Sequence, residues 1–256
     1  MGEHGKYRAL VGRLGLSALF GATLWAAPLA AQSTECRLAL LLALDVSSSV
    51  DDREYTLQKD GLAAALADPD VRRAILDGAG TVALSIYEWS GRRQSEVIQD
   101  WVILADDAAI DAVVARLLAT PRTQTRFPTA MGYALGYGAA LLDRAPDCLR
   151  QVIDVSGDGV TNDGFGPDLA YRHFPFEDIT VNGLAVLGAD PEVDTYYRDI
   201  VRHGPGAFVE FADGYAGFRN AMTRKLFRET NDLVIGTPSG HPPEAPADRA
   251  GDAGKS

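Results

Sequence analysis

The chain has little of several things that common chemistries need. Its 256 residues include only two cysteines and four histidines. His173, His203 and His241 fall at no spacing that would ligate a metal or build a catalytic triad, so a histidine zinc site and a serine hydrolase have little support. No Gly-x-Ser-x-Gly elbow and no phosphate loop occurs. Basic residues are also in deficit, 24 against 35 acidic, for a formal net charge of −11. That balance argues against nucleic acid or an anionic membrane as the main partner, because both demand basic patches.

Apolar residues make up 46% of the sequence, enough to exclude disorder throughout and to fill one large domain with flanking segments. The longest apolar stretch lies at the start. Lys6, Arg8 and Arg13 precede "LGLSALFGATLWAAPLAA", which ends in small residues before "QSTEC". This is the order of a secretory signal, expected over residues 1–31 with cleavage after Ala31. The run is under about 20 residues and carries Pro28, so a signal fits better than an anchor, and no stable membrane insertion is expected after cleavage. No cysteine stands at the cleavage point to take a lipid. Cleavage would leave 21 basic and 34 acidic residues, a net −13, in a protein bound for the periplasm or the exterior. There an isolated pair, Cys36 and Cys148, reads as a disulfide, with two buried free thiols the alternative.

Strands and helices alternate along residues 32–235. "RLALLLALD" from Arg37 is a continuous apolar run, as in a strand covered on both faces. A helix follows over Asp51 to Ala67. "TVALSIYEW" and "VIQDWVIL" read as a hairpin across "SGRRQS", which makes one edge strand antiparallel. Helices are expected at Asp106–Ala119 and Thr129–Asp143, then strands at Arg150–Ser156 and Ile179–Leu187. A helix at Glu192–Arg202, a strand at Ala207–Ala212 and a helix at Tyr215–Glu229 complete the series. The pattern predicts an α/β fold, a doubly wound and mostly parallel sheet with helices on both faces. From Gly236 to Ser256 the sequence is rich in Pro, Gly, Ala and charge, and is expected to be a disordered tail.

In such a sheet ligands sit beyond the carboxyl ends of the strands, where strand order reverses. Three polar clusters fall at strand ends or a helix start: "DVSSS", "PTAMGYAL" and "SGDGVTNDG". In an extended chain the oxygens of Asp45, Ser47 and Ser49 share one side. With Thr129 and Asp158 they supply two carboxylates and three hydroxyls, a hard oxygen set suited to Mg²⁺, Mn²⁺ or Ca²⁺ rather than zinc or copper. Two carboxylates at most offset a dication, so a carboxylate from a protein partner is the natural sixth ligand.

These residues resemble the von Willebrand factor A domain. The resemblance rests on Asp-x-Ser-x-Ser after an apolar first strand, a Thr opening a helix and an Asp-Gly after a later strand. It spans roughly Arg37 to Glu229, and "YEWSG", "VIDVSGDG", "ITVNGLAV" and "GPGAFV" look like an uncharacterised bacterial exported branch. It implies strand order 3-2-1-4-5-6 in a six-stranded sheet. It also implies a metal-ion-dependent adhesion site on Asp45, Ser47, Ser49, Thr129 and Asp158, with Mg²⁺ the first expectation. Strands one and four would then be neighbours, with Cys36 and Cys148 together at the opposite end and able to bridge. One departure stands out. The family usually has Thr or Ser directly before the last Asp-Gly, and here Gly157 precedes Asp158.

Each cluster also has a plainer reading. The serines or Thr129 would serve as helix caps, and "GDGVTND" would be a turn. Asp154 is a rival ligand or a buried structural acid needing partners, with Asn182 one candidate. Glu88 and Trp89 reach the same rim, where a Trp is usually core and a Glu usually solvated. Two other functions compete with a partner-binding module. In a haloacid-dehalogenase-type magnesium phosphohydrolase, Asp45 would attack phosphate, but the acid expected two residues later is Ser47. In a scaffold domain the metal would only stabilise loops.

Overall fold

The computed structural model describes residues 35–231. The expected signal segment 1–31 and the tail 236–256 lie outside the described residues. In chain order the elements are β1 (Cys36–Asp45), α1 (Asp52–Leu66), α2 (Pro69–Leu76), β2 (Thr81–Trp89) and β3 (Ser95–Ile103). They continue with α3 (Asp107–Ala119), α4 (Met131–Leu142), β4 (Gln151–Gly157), α5 (Pro167–His173) and β5 (Ile179–Leu187), then α6 (Val193–Tyr196), β6 (Val209–Asp213) and α7 (Phe218–Asn231).

The six strands form one sheet in the order β3-β2-β1-β4-β5-β6. Only the β2–β3 pair is antiparallel. β1 lies at the centre and is buried along nearly its whole length. Leu38, Leu40, Leu42 and Leu44 enter one apolar layer with α1, α2, α3 and α7. Ala39, Leu41 and Ala43 enter the other with α4, α5 and α6. That two-sided cover is why the strand is apolar without interruption from Leu38 to Leu44. Each buried leucine contributes roughly 2 kcal/mol.

β1 pairs with both β2 and β4, so the chain leaves it towards opposite edges and a crevice opens beyond Asp45 and Gly157. At the far end Cys36 and Cys148 are joined by a disulfide that spans 112 residues of sequence. It ties the start of β1 to the segment entering β4. No helix of the described residues is long and apolar enough to cross a membrane.

Three local expectations needed correction. α2 and α5 were not foreseen, although each begins at a proline, and Asp68 caps α2. The helix expected over Glu192–Arg202 is only a short α-turn followed by a π-helical turn at Tyr197–Val201. Fully buried Tyr197 lies against the sheet there, where a Cβ on Gly183 would meet its ring at 2.5 Å. The segment after β1 is also not extended. The strand stops at Asp45, and Ser47 accepts a turn hydrogen bond from Val50 N–H at 3.1 Å.

Candidate metal centre

The turn after β1, rather than strand alternation, gathers the oxygens. Asp45 Oδ1 accepts from Ser47 N–H at 2.7 Å, which folds the chain back over the strand end. Ser47 Oγ then lies 3.0 Å from Ser49 Oγ. Thr129 Oγ1 donates to Ser47 at 3.2 Å, and Ser49 Oγ donates to Asp158 Oδ1 at 2.7 Å. A chain of hydroxyls thus runs from Thr129 through Ser47 and Ser49 to a carboxylate. Asp45, Ser47, Thr129 and Asp158 are buried and Ser49 is exposed.

The capping roles are filled elsewhere. α1 begins with a capping box made by Asp51 and Glu54, so Ser47 and Ser49 cap nothing. α4 begins at Met131 with Ala130 at its cap and no side-chain cap bond. Thr129 is therefore outside the helix, and its hydroxyl is available to Ser47. The turn after β4 holds this arrangement: Asn162 Oδ1 accepts from Thr129 N–H at 3.0 Å and Thr161 Oγ1 from Met131 N–H at 3.2 Å.

One oxygen of each acid has no partner. Among the described residues, Asp45 Oδ2 and Asp158 Oδ2 are buried without a hydrogen bond. The Tyr197 and Tyr215 hydroxyls are likewise buried and unpaired; that of Tyr215 favours the ionised form of Asp158 without reaching hydrogen-bond geometry. Burial, followed by the charge of Asp158, pushes Asp45 up to about 7. Burial raises Asp158 too, against the Ser49 hydrogen bond. Two buried acids that resist ionisation, each with an idle oxygen, fit a dication, whose charge would reverse both shifts. Among the described residues no three of His, Cys, Asp and Glu gather as a metal-holding group. The cluster has only two carboxylates, and its remaining donors are hydroxyls.

Gly157 explains the departure at the end of β4. A Cβ there would stand 2.9 Å from both Asp45 Oδ2 and the Tyr197 hydroxyl. Tyr197 fills the space that a longer side chain would need.

Asp154 does not join the cluster. It sits on the opposite face of β4, where its Oδ1 is 3.2 Å from Lys225 Nζ of α7. Asn182 bonds Glu229 rather than Asp154, at 2.8 Å. Trp89 is core, but Glu88 is buried too: it accepts from the Tyr55 hydroxyl at 2.8 Å and from Thr123 N–H at 2.9 Å.

The sequence reading missed Arg122. Its Nη2 donates to the carbonyls of Val46, Ser47 and Val50 at 3.2, 3.1 and 2.7 Å, and its Nη1 pairs with Asp52 at 3.2 Å. One guanidinium therefore pins the whole Asp45–Val50 turn, and Glu88 positions it through Thr123. Nothing in "ATPRTQTRFPTA" marks this arginine, because its partners are backbone carbonyls distant in sequence. Replacing Arg122 with Met removes the side-chain donor of the Val46 and Val50 carbonyls and leaves Ser47 O with only its turn bond from Val50 N–H. We expect about a tenfold loss of divalent-cation affinity and about 2 kcal/mol of stability, read by calorimetric titration and denaturant midpoint.

Residues 35–234 match the family described as "Protein of unknown function (DUF1194)". The chain belongs to that family. The fold of this DUF1194 member is that of the von Willebrand factor A domain, as its likeness to solved structures shows. Proximal thread matrix protein 1 from the mussel byssus aligns with TM-score 0.55 and 11% identity, over 79% of this chain and 49% of that one. Another structure of it, described as having a zinc-occupied MIDAS motif, aligns at 0.55 with 13% identity, over 77% and 47%. A von Willebrand factor type A protein from Catenulispora acidiphila aligns at 0.52 with 16% identity, over 77% and 42%. The PilB minor pilin from Streptococcus sanguinis aligns at 0.57 with 12% identity, over 79% and 64%. The chain thus spans about half the length of the first of these structures. No curated protein matches it.

Proposed function

We propose that this DUF1194 member is an exported, divalent-cation-dependent binding module that grips an acidic group of a protein partner. Asp45, Ser47, Ser49, Thr129 and Asp158 would hold the ion, with Mg²⁺ favoured over Mn²⁺ and Ca²⁺ by the small all-oxygen donor set. The observation that carries this reading is the pair of buried, unpartnered oxygens, Oδ2 of Asp45 and Oδ2 of Asp158. A bound cation would supply a positive point at the crevice to which a partner carboxylate can add.

The surroundings favour the same partner chemistry. Arg93 and Arg126 are exposed and make no ion pair among the described residues. Their segments meet at the site, since a Cβ on Gly91 would touch Phe127 at 3.2 Å and Phe127 O accepts from Ser48 N–H at 2.8 Å. A basic lip on an acidic protein steers anions towards the crevice. The zinc-occupied motif of the byssus protein supports a dication in such a site without fixing which one. The disulfide and the likeness to a pilin support export.

The test is Mg²⁺ titration of the wild type, Asp45→Ala and Ser47→Ala, together with capture of exported-protein partners with and without chelator. We expect uptake and capture to be lost in both variants, and capture to be lost with chelator. Unchanged uptake and capture in the variants would end this reading. Turnover of an aryl phosphate that disappears in Asp45→Asn would favour the phosphohydrolase instead.

A further inference from the structure

Behind the crevice, on the α7 side of the sheet, three ionisable side chains are sealed together. Asp154, Lys225 and Glu229 are all buried, with side-chain exposures of 1%, 0% and 0%. Lys225 Nζ lies 3.2 Å from Asp154 Oδ1 and 2.9 Å from Glu229 Oε1. Asn182 fixes Glu229 by donating to Oε1 at 2.8 Å, and its own Oδ1 accepts from Phe208 N–H at 2.9 Å. The Phe208 ring covers the amine, with its centroid 4.6 Å from Nζ. Among the described residues neither Asp154 oxygen makes a hydrogen bond, nor does Glu229 Oε2.

This arrangement is poorly explained as a simple ion pair. Two carboxylates and one ammonium leave an uncompensated negative charge in a dry core, which is costly. Burial drives Asp154 up, Lys225 pulls it down and Glu229 raises it again, and the outcome is a carboxyl held well above its ordinary range. The neutral acid is the electrophilic form of that group, and it stands beside an amine with a carboxylate on the amine's other side.

We propose that Lys225 and Asp154 condense to an intramolecular amide that joins α7 covalently to β4, with Glu229 as the proton acceptor. The ammonium of Lys225 passes one proton to Glu229, and the freed amine attacks Cγ of Asp154. As the N–C bond forms and a C–O bond breaks, the hydroxyl leaves as water, taking a second amine proton. Glu229 retains the proton it accepted and ends as the neutral acid. Nothing is oxidised or reduced, and no co-reactant is needed. The product holds no buried charge, so condensation removes the electrostatic cost that the three groups carry together. Exclusion of water by Phe208 opposes hydrolysis of the bond.

The test is mass spectrometry of the purified full chain after reduction of its disulfide. We expect the wild type to run one water light, about 18 Da. Proteolysis should give a branched peptide linking the Asp154 segment to the Lys225 segment. On a reducing denaturing gel the cross-linked chain should migrate ahead of Lys225→Arg and Glu229→Gln, both of which should show the full mass. If those variants fail to fold, the wild-type digest still decides. Recovery of wild-type Asp154 and Lys225 in separate, unmodified peptides would overturn the proposal and leave a non-covalent buried triad. Sequencing the branch point distinguishes the amide from water loss elsewhere in the chain.

Discussion

With divalent cations chelated, we expect the protein to lose stability as pH rises from about 4 to about 7, and saturating Mg²⁺ to remove most of that slope. The expectation follows from Asp45, whose carboxyl moves from its ordinary 3.8 to about 7 in the fold. Burial is the main cause and the neighbouring Asp158 the next. Across this window the folded state keeps a proton that the unfolded chain has released, so stability falls as pH rises. Below about 4 both states are protonated, and above about 7 both are ionised with the full cost in place. At 1.36 kcal/mol per pH unit that cost is about 4 kcal/mol for Asp45. Asp158, also raised, adds to it with the same sign. A dication between the two acids favours their ionised forms and cancels the effect. Any contribution from Asp154 is common to both conditions, so the difference between the two pH profiles isolates the crevice. Denaturant midpoints at mildly acidic and mildly alkaline pH, each with chelator and with Mg²⁺, provide the measurement. Parallel profiles would mean that no ion enters between Asp45 and Asp158.

The sheet was legible from the sequence because its determinants are local. β1 is apolar from Leu38 to Leu44 and β5 is mostly apolar, as strands covered on both faces tend to be, and the hairpin of β2 and β3 is announced by a polar turn. Strand order followed from the resemblance and agrees with the observed topology. The role of the five oxygen-bearing residues as ligands belongs to the proposal, but that they approach one another could be expected in advance, because each stands at or just beyond an end of β1, β4 or α4. Their manner of approach could not, because it depends on a turn held by Arg122 from another loop. The fate of Asp154 was hidden for the same reason. Its partner Lys225 is distant in sequence, on α7, and nothing in the sequence marks it as fully buried, which it is. α2 and α5 carried their prolines openly, but each is too short for periodicity to register.

Installing the residue usual in the wider family at the end of β4 should damage this protein. We expect Gly157→Thr to cost roughly 3 kcal/mol and to abolish divalent-cation binding. The new Cβ would lie 2.9 Å from Asp45 Oδ2, 2.9 Å from the Tyr197 hydroxyl and 3.2 Å from Asp45 Cβ. Asp45 and Tyr197 are both fully buried, so neither can swing into solvent. Tyr197 cannot retreat towards β5 either, because it already lies so close over Gly183 that even a Cβ there would collide with its ring. The remaining adjustment displaces Asp45 from the oxygen cluster. Tyr197→Phe should be neutral or mildly stabilising by itself, since the hydroxyl it deletes is buried without a partner. In the Gly157→Thr background the same change opens room beside residue 157 and should restore roughly half of the lost stability. Midpoints and Mg²⁺ titrations of the four proteins form a double-mutant cycle. Native cation affinity in Gly157→Thr would show that the crevice accepts a side chain there, and additivity across the cycle would show that Tyr197 does not set the limit.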